Sequence, residues 1–369
     1  MITRVKIQNF KSFVDFEIKD ISQFSCLIGL NGTGKTTFLQ FIDFVQAVVL
    51  NRVPEWFEKR RWNPQDIISF GSGKRSFDFQ IDVADGDCTY TWTACFNIVE
   101  MRCTSESVLL DGTNETVLLY KDGKVRVKGT VLKLTPEFDF GATALKFLGQ
   151  DHPVVKAALK TRVFGILDPN AIAQPSQTKS DRKGIEVEPN GKGLVGFISQ
   201  LTNAERQELF ERLCSFYPSI NSHKIRKQHF GWKNLLINEM EKFFDSSHLS
   251  YGTLRILVFL SQFYSKSQCL LFDEIENGIN QELIGELVDK LQHFDKQVIV
   301  TTHSALVLNY LSDEAARDSV ILLYKGAHGT KAKRFFELSE VQKKLDFLGP
   351  GEVMADTNLV DLSKKLSSL

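Results

Sequence analysis

The spacing of hydrophobic residues changes several times along the first third of the chain. Polar and apolar residues alternate over 1–7, which is typical of a strand, and the continuous apolar run Phe24–Ile28 is typical of a strand buried on both faces. After a glycine-rich loop, helical spacing predicts a buried helix of about four turns. Its apolar positions are Phe38, Phe41, Ile42, Val45, Val48 and Val49. Between about 65 and 135, alternating runs separated by Asp-Gly turns predict an antiparallel sheet packed on the first 50 residues.

The middle of the chain predicts a lobe boundary followed by helices. Residues 170–195 are polar and contain prolines and glycines, which is typical of a loop. Thr202 is a candidate N-cap for a helix that reaches Phe216, and a second helix is predicted over 233–244. No heptad repeat extends through this part, so no coiled-coil arm is expected.

The last third alternates between apolar strands and helices. Strands are predicted over 268–272 and 297–302, and helices over 254–263 and 281–294. This alternation predicts a mainly parallel α/β sheet. Two later runs, 320–324 and 333–338, predict a hairpin, and the amphipathic segment 359–366 is expected to pack on the core.

Composition gives no sign of a general nucleic-acid or membrane binder. Lys plus Arg and Asp plus Glu both total 45 in the 369 residues, so the net charge is zero and any DNA contact must come from a local patch. The six cysteines form no Cys-x-x-Cys pair, which favours reduced thiols over disulfides or zinc. The N-terminus lacks the apolar core of a signal peptide, and apolar runs such as 256–260 are far shorter than a membrane span. We expect a cytoplasmic protein with no membrane partner.

A glycine-rich phosphate loop follows the apolar run Phe24–Ile28. Residues 29–36 read Gly-Leu-Asn-Gly-Thr-Gly-Lys-Thr, between a predicted strand and a predicted helix. In this setting backbone N–H groups and the helix dipole converge on phosphate oxygens, Lys35 reaches the β- and γ-phosphates, and the Thr36 hydroxyl can ligate Mg²⁺. A chance glycine-rich turn is the alternative, which the flanking elements disfavour. The predicted phosphate-binding residues are Asn31, Gly32, Thr33, Gly34, Lys35, Thr36 and Thr37.

Three ionisable residues follow the two predicted strands of the last third. Asp273 ends the first strand, where it can hold the Mg²⁺ shell, and Glu274 can polarise the water that attacks the γ-phosphate. A solvated turn is the alternative, and the position downstream of a phosphate loop favours catalysis. His303 follows the second strand, which in such a sheet runs beside the first and carries His303 toward the γ-phosphate. A lone histidine more often has a structural role, but the order of motifs favours the functional one.

A fourth segment lies shortly before the Asp-Glu strand. Residues 248–255 read His-Leu-Ser-Tyr-Gly-Thr-Leu-Arg and open an apolar helix. Taken alone, Ser250 is an N-cap and Gly252 a turn residue. Taken with the other motifs, this helix N-terminus is a second phosphate-binding surface. One chain cannot easily aim both surfaces at a single nucleotide, so the sequence predicts dimerisation.

These elements in this order resemble the ABC-type ATPases of the structural-maintenance-of-chromosomes (SMC) and RecF group, particularly the short ATPases related to the ATPase domain of OLD-family proteins. The resemblance covers nearly the whole chain and includes the opening Asn-Phe-Lys-Ser at 9–12. It implies an α/β P-loop fold with a mainly parallel core sheet, an antiparallel β lobe, a small helical lobe and no coiled-coil arm. We predict a nucleotide-binding lobe over 1–193, a helical insertion over 194–248, and a second lobe over 249–369 with the signature segment and switch histidine.

The resemblance also implies roles for individual residues. Ser250 and Gly252 would contact the γ-phosphate held by the other protomer, so that two ATP molecules are sandwiched in a head-to-tail homodimer, and Lys11 would approach the phosphates. The signature carries Tyr251 and Thr253 where transporter-type ABC proteins usually carry Gly and Gln, which argues against a membrane transporter.

Two departures concern the rest of the site. Ile275 replaces the proline that usually follows the glutamate, and 276–280 stand where the loop that crosses the dimer interface is expected. Gln174 and Gln177 are the candidates for the glutamine that completes the Mg²⁺ shell in the family.

The function predicted in this way is an Mg²⁺-dependent ATPase that dimerises on ATP. It would act as a switch or sensor for a separate effector such as a nuclease, in defence against phage or in DNA maintenance, because full OLD proteins continue into a nuclease domain for which this chain has no room. The alternative is a RecF-like DNA-binding repair ATPase, with the basic segments 223–229 and 179–183 as candidate contacts, each more typical of a solvated loop. A non-hydrolysing scaffold would not need Glu274 and is disfavoured, and assembly beyond the dimer stays open.

Overall fold

The first third of the chain forms a large antiparallel sheet and the helix that packs against it. In this computed structural model, residues 1–113, 115–132, 141–165, 167–177 and 184–368 are described. The elements of the first third are β1 (Ile2–Phe10), β2 (Phe13–Ile18), β3 (Phe24–Ile28), α1 (Lys35–Val49), α2 (Val53–Arg60), β4 (Ser76–Asp85), β5 (Cys88–Asn97), β6 (Arg102–Leu110), β7 (Glu115–Lys121), β8 (Lys124–Val127) and β9 (Thr130–Val131).

All of these strands except β3 form one sheet in the order β2-β1-β4-β5-β6-β7-β8-β9. Helix α1 packs against it through aromatic side chains, with the ring of Phe44 5.0 Å from that of Phe96 and 5.6 Å from that of Phe77. Edge-to-face pairs at these distances stabilise the core beyond their buried area. The predicted antiparallel sheet and the predicted helix are confirmed.

The middle of the chain combines helices with a small second antiparallel sheet. Its elements are α3 (Pro153–Leu159), β10 (Thr161–Phe164), α4 (Pro169–Ala173), β11 (Ser176–Gln177), α5 (Leu194–Gln200), α6 (Asn203–Phe216), β12 (Ile220–Lys227), β13 (Trp232–Glu239) and β14 (Lys242–Asp245). The α6 prediction is confirmed: Thr202 accepts a hydrogen bond from Glu205 N, and the Glu205 carboxylate accepts one from Thr202 N.

The helix predicted over 233–244 is wrong, because β13 and β14 form a hairpin there. β13 pairs with β12 on one side and with β14 on the other. Met240 and Glu241 have φ of 49° and 63°, which fits the two-residue turns that join twisted strands. The hydrogen bonds and side-chain contacts between these strands stabilise the sheet, although the spacing of the apolar residues also fits a helix. The basic segment 223–229 was expected to be a solvated loop, but β12 reaches through Lys227, so that expectation is wrong for 223–227.

The last third completes a mainly parallel central sheet. Its elements are α7 (Tyr251–Ser261), β15 (Cys269–Phe272), α8 (Gln281–Gln292), β16 (Gln297–Thr301), α9 (Ala305–Leu308), α10 (Asp313–Ser319), β17 (Val320–Gly326), β18 (Gly329–Arg334), α11 (Ser339–Gln342), α12 (Pro350–Asp356) and α13 (Leu359–Ser368). The sheet has the order β10-β15-β16-β3-β17-β18, and its strands are parallel except for β18. The predicted parallel sheet is confirmed.

The predicted late hairpin forms, but its second strand, β18, spans Gly329–Arg334 and so begins four residues before the predicted run 333–338. Gly326 pairs with Gly329 and Ile321 pairs with Arg334, so β18 begins directly after a two-residue turn. The run expected to be this strand instead continues into a short 3₁₀ turn at Phe335–Glu337, with both phenylalanines buried. Burial of adjacent aromatic residues in the core therefore governs this segment more than strand alternation does.

The central sheet separates two hydrophobic cores. Alternate residues of its strands face opposite sides: Leu271 packs in the core that contains α1, and Leu270 packs in the core that contains α7 and α8. Helix α13 packs on β17 with Leu362 buried, as expected for the amphipathic segment. In the part of the chain that the structure describes, α1 is the longest helix at 15 residues, and no coiled-coil arm is formed. Among the same residues, none of the helices combines the length and the apolar character needed to cross a membrane.

Candidate nucleotide site

The phosphate loop connects β3 to the N-terminus of α1. Gly34 caps α1 with φ 105°, and a Cβ there would lie 2.8 Å from Phe13 Cε1, so only glycine fits without strain. The Lys35 ammonium donates to the backbone carbonyl oxygens of Gly29 at 2.7 Å and Leu30 at 3.2 Å. The lysine therefore lies across the loop, with the helix N-terminus beside it, and this combination favours anions.

Acidic residues surround Lys35 at this end of the sheet. Burial lowers the pKa of Lys35, and the negative charges of Asp273, Glu274 and Glu276 oppose that shift. Lys35 itself is 8% exposed. A buried cation near several carboxylates keeps its charge more readily, which a phosphate-binding lysine requires.

A chain of hydrogen bonds links the loop to the Asp-Glu strand. Thr36 Oγ1 donates to Asp273 Oδ2 at 2.9 Å, and Thr301 Oγ1 donates to Asp273 Oδ1 at 2.5 Å. The Thr36 hydroxyl and the Asp273 carboxylate are thus adjacent oxygen donors at the phosphate loop. Magnesium prefers oxygen ligands and usually takes one or two from protein, so these residues fit a Mg²⁺ bound with nucleotide.

Glu274 has a left-handed backbone that is held from two sides. Its φ is 47°, its N–H donates to Thr301 Oγ1 at 2.8 Å, and its carbonyl accepts from Arg255 Nη2 at 2.9 Å. Non-glycine residues in this conformation are uncommon and cluster at functional sites. Sequence reasoning missed both supporting residues. The available signals were a threonine that ends an apolar strand and a single arginine inside the apolar helix α7.

His303 follows β16, which lies beside β15 as predicted. Glu276 contacts it twice: Oε1 accepts from the His303 backbone N–H at 3.1 Å and lies 3.4 Å from Nδ1. The histidine is half-exposed, and the carboxylate is mostly buried. Glu276 is a further residue that sequence reasoning did not assign to the site.

The signature segment lies at the start of α7. Ser250 is exposed and caps the helix, accepting from Thr253 N at 3.1 Å. Gly252 is buried, and a Cβ there would lie 2.6 Å from the Gly278 carbonyl oxygen. The N-cap prediction for Ser250 is confirmed, and Gly252 allows close approach of the loop that follows the Asp-Glu strand. Their contact with a nucleotide in another protomer stays a prediction.

Comparisons with known proteins agree with this motif order. A family model described as "AAA ATPase domain" matches residues 1–84, and one described as "AAA domain, putative AbiEii toxin, Type IV TA system" matches residues 194–309. Two solved structures share the fold over most of the chain. The SMC head with an extended coiled coil, bound to the C-terminal domain of ScpA, from Pyrococcus furiosus, aligns with TM-score 0.55 and 12% identity, covering 94% of this chain and 99% of that chain. An SMC head bound to the winged-helix domain of ScpA aligns with TM-score 0.53 and 14% identity, covering 93% and 99%.

The two family models describe residues 1–84 and 194–309 as AAA-type ATPase domains, and the SMC heads share the fold, so both findings support the expected resemblance to SMC/RecF-like ATPases. The fold expected from the resemblance is confirmed. A sequence search of curated proteins gives no significant match.

The remaining predicted residues of the site are distributed around the loop. Asn31 and Gly32 are exposed at its tip, and Thr37 is half-buried in the first turn of α1. The Lys11 ammonium donates to Gln40 Oε1 at 2.8 Å, one turn along α1 from Thr36. It also lies 3.8 Å from the ring centroid of Trp62. Lys11 is therefore near the loop but committed to protein partners, and its phosphate contact stays a prediction.

The other predicted positions lie farther along the chain. Gln174 follows α4 with an exposed side chain, and Gln177 pairs through its backbone with Trp232. A role for either in the Mg²⁺ shell stays a prediction. The basic segment 179–183 lies outside the described residues.

Proposed function

We propose that this chain is an Mg²⁺-dependent ATPase that forms an ATP-sandwich dimer and switches a separate effector. The contact between Thr36 and Asp273 carries the proposal, since it joins the phosphate loop to the Asp-Glu strand through oxygen donors. The same strand end presents Glu274, and Lys35 lies across the loop. These are the parts that phosphoryl transfer needs: a cradle, a charge clamp and a group to orient water.

Each residue has a distinct task in this proposal. Lys35 exchanges its carbonyl partners for phosphate oxygens, and Thr36 with Asp273 holds the metal. When bound, Mg²⁺ neutralises phosphate charge. Glu274 accepts a hydrogen bond from the attacking water and orients it, and its fixed backbone limits the positions that its carboxylate can take.

Dimerisation is supported by where the two phosphate-binding surfaces lie. Helices α1 and α7 pack on opposite faces of the central sheet, and Ser250 at the start of α7 is exposed. A nucleotide on the phosphate loop of one chain is then best contacted by Ser250 of a second chain. The head-to-tail pairing buries two nucleotides between identical surfaces, as a two-fold interface requires.

The effector is proposed to be a separate protein such as a nuclease, in phage defence or DNA maintenance. The two SMC heads that share this fold are complexes with domains of ScpA, which supports protein docking on such a head. The exposed faces of the β4–β9 sheet and of the 194–245 segment are the proposed docking surfaces, because neither carries nucleotide chemistry.

Light scattering of Glu274→Gln with and without Mg-ATP tests the proposal. Removing the general base should trap ATP, so the mass should double on addition of Mg-ATP while turnover falls by about 10²–10⁴-fold. Lys35→Ala is the control, since it removes the main phosphate charge and should prevent both ATP binding and dimerisation. Wild-type turnover in Glu274→Gln, or unchanged ATP affinity in Lys35→Ala, would contradict the assigned roles. An unchanged mass would mean either that Ser250 is not used in a partner chain or that the protein is already assembled before ATP is added.

The RecF-like DNA-binding alternative has support from one surface. Lys224 and Arg226 lie on the same face of β12, and the Lys224 ammonium is 4.1 Å from the ring centroid of Phe243. Cations next to aromatic rings suit single-stranded nucleic acid. However, Arg226 already lies 4.0 Å from the Asp245 carboxylate, which reduces its free charge. DNA binding through this face would weaken steeply with salt and would be lost in Lys224→Glu.

A further inference from the structure

The loop between the Asp-Glu strand and α8 carries a carboxylate that makes contacts of a specific kind. Glu276 Oε1 lies within reach of two atoms of His303, the backbone N–H at 3.1 Å and the ring Nδ1 at 3.4 Å. The same oxygen is therefore hydrogen-bonded to the backbone of His303 and close to Nδ1 of its ring. Carboxylates that hold Nδ1–H of a histidine fix its tautomer and ring orientation in many catalytic and metal sites.

Glu276 occupies this position at an energetic cost. Its side chain is only 11% exposed, and Oε2 is buried without a hydrogen-bond partner among the described residues. Leaving a buried acceptor unsatisfied costs about 1–3 kcal/mol, and more for a charged group. A residue that only shaped the loop would avoid this cost if it were apolar, like its neighbours Ile275 and Ile279.

The loop does not need the Glu276 side chain to keep its shape. Ile275 N donates to the Thr301 carbonyl oxygen at 3.1 Å, which ties the loop to β16. Asn277 N donates to the Glu274 carbonyl at 3.0 Å, and Ile279 N to that of Glu276 at 3.2 Å. Backbone hydrogen bonds therefore form the turn, and the carboxylate is free to act on His303.

The negative charge of Glu276 also affects groups near the phosphate loop. It acts on Lys35 together with Asp273 and Glu274, and with burial it raises the pKa of the Cys26 thiol in β3. The Glu276 carboxylate thus lies among the groups that surround the loop lysine. A carboxylate that contacts His303 and acts electrostatically on Lys35 can influence how the histidine meets a bound phosphate.

We propose that Glu276 is a positioning residue that commits Nδ1–H of His303 to its carboxylate, so that Nε2 is the ring nitrogen that meets the γ-phosphate and donates to its oxygen when the ring is protonated. The inference rests on the proposed ATPase function and deepens it. Both partners of the pair are protein groups, so Glu276 can orient the ring without help from contacts to ATP. Such preorganisation lowers the cost of reaching the transition state.

Histidine tautomers provide a test that does not depend on hydrolysis. In protein labelled with ¹⁵N-histidine, loss of one signal in His303→Ala assigns the residue among the seven histidines. We expect His303 as the Nδ1–H tautomer, and Glu276→Ala should shift it toward the Nε2–H form. Glu282→Gln, at an exposed glutamate in the first turn of α8, is the matched control and should leave the signal unchanged. An Nε2–H tautomer in the unmodified protein would overturn the proposal.

A double-mutant cycle gives the functional readout. Glu276→Ala should lower kcat about tenfold with KM changed less than about threefold, which corresponds to about 1.4 kcal/mol of transition-state stabilisation. Glu276→Gln keeps an oxygen for the His303 backbone N–H and should recover part of the rate. In a His303→Ala background, Glu276→Ala should have no further effect. An equal loss with and without His303 would show that Glu276 acts elsewhere.

The two assays also separate this inference from the proposed function. If the tautomer shifts in Glu276→Ala but no variant hydrolyses ATP, the positioning role holds and the ATPase proposal fails. If hydrolysis depends on Glu274 and the cycle shows no coupling between Glu276 and His303, the ATPase proposal holds and the positioning role fails.

Discussion

Replacing Thr301 with valine should lower ATP hydrolysis more than the loss of fold stability alone would, because Thr301 holds the backbone of Glu274. Thr301 is fully buried, and its hydroxyl accepts from Glu274 N at 2.8 Å and donates to Asp273 Oδ1 at 2.5 Å. Valine has nearly the same shape and removes only these two hydrogen bonds. The variant therefore tests whether the hydroxyl holds the Asp-Glu strand end in its observed conformation.

The expected energies follow from the groups left without partners. An orphaned N–H costs about 1–3 kcal/mol, and a hydrogen bond to a charged group is worth about 1.5–3 kcal/mol. Release of the left-handed Glu274 backbone returns about 1–2 kcal/mol. We expect a net loss of about 2–3 kcal/mol and a fall in Tm of several degrees. Since Glu274 is displaced rather than removed, kcat should fall by about 10–100-fold, less than for loss of a general base.

The assay pairs thermal unfolding with ATP hydrolysis at a temperature where all variants are folded. Thr161→Val is the matched control, because Thr161 is buried in the same sheet and donates to the Ala157 carbonyl at 2.7 Å, far from the phosphate loop. It should lower Tm modestly and leave kcat within about twofold. Equal hydrolysis by Thr301→Val and Thr161→Val would refute the idea that Thr301 holds Glu274.

Two further predictions concern other buried charges. Arg255 is 1% exposed and donates to the Glu274 carbonyl and to Tyr251 Oη, so Arg255→Met removes two hydrogen bonds but also the cost of burying a charge. Steady-state assays should show kcat lowered at least tenfold, and Tm should change by only a few degrees. Burial raises the pKa of Glu106 from 4.5 to about 7, despite hydrogen bonds from Thr143 and the Ala144 N–H. The folded chain then holds this proton more tightly than the unfolded chain, so the free energy of unfolding should decline as pH rises from about 4.5 to 7. Urea denaturation across this range should show that decline reduced in Glu106→Gln.

The central sheet and the phosphate loop could be predicted from the sequence for a physical reason. Strands buried on both faces require continuous apolar runs, and the runs at Phe24–Ile28 and Cys269–Phe272 are such strands. In the sequence, the glycine-rich loop comes directly after the first run, and the two carboxylates come directly after the second. Local sequence therefore placed Thr36 and Asp273 at the same edge, and the 2.9 Å contact between them agrees with that placement.

The small sheet and the supporting residues could not be predicted in the same way. The β12–β13–β14 sheet is defined by pairing between strands, and its apolar residues also fit helical spacing. Arg255 contacts a carbonyl 19 positions away, and Glu276 contacts a residue 27 positions away. Such partners are set by the register of the folded sheet. A lone charge in an apolar helix or a carboxylate in a loop gives no local sign of its partner.

The backbone of Glu274 connects the two halves of the proposed switch. Its N–H is held by Thr301, on the strand that leads to His303, and its carbonyl by Arg255, one turn along α7 from the exposed Ser250. If Ser250 engages nucleotide on a partner chain, as we propose, any shift of α7 must move the Arg255 guanidinium or break its bond to Glu274. A left-handed residue held by two such bonds has few intermediate positions, because losing either bond favours relaxation to an ordinary conformation. Dimer formation would then control hydrolysis through the main chain of Glu274, and Arg255→Met should weaken the dependence of hydrolysis on protein concentration as well as its rate.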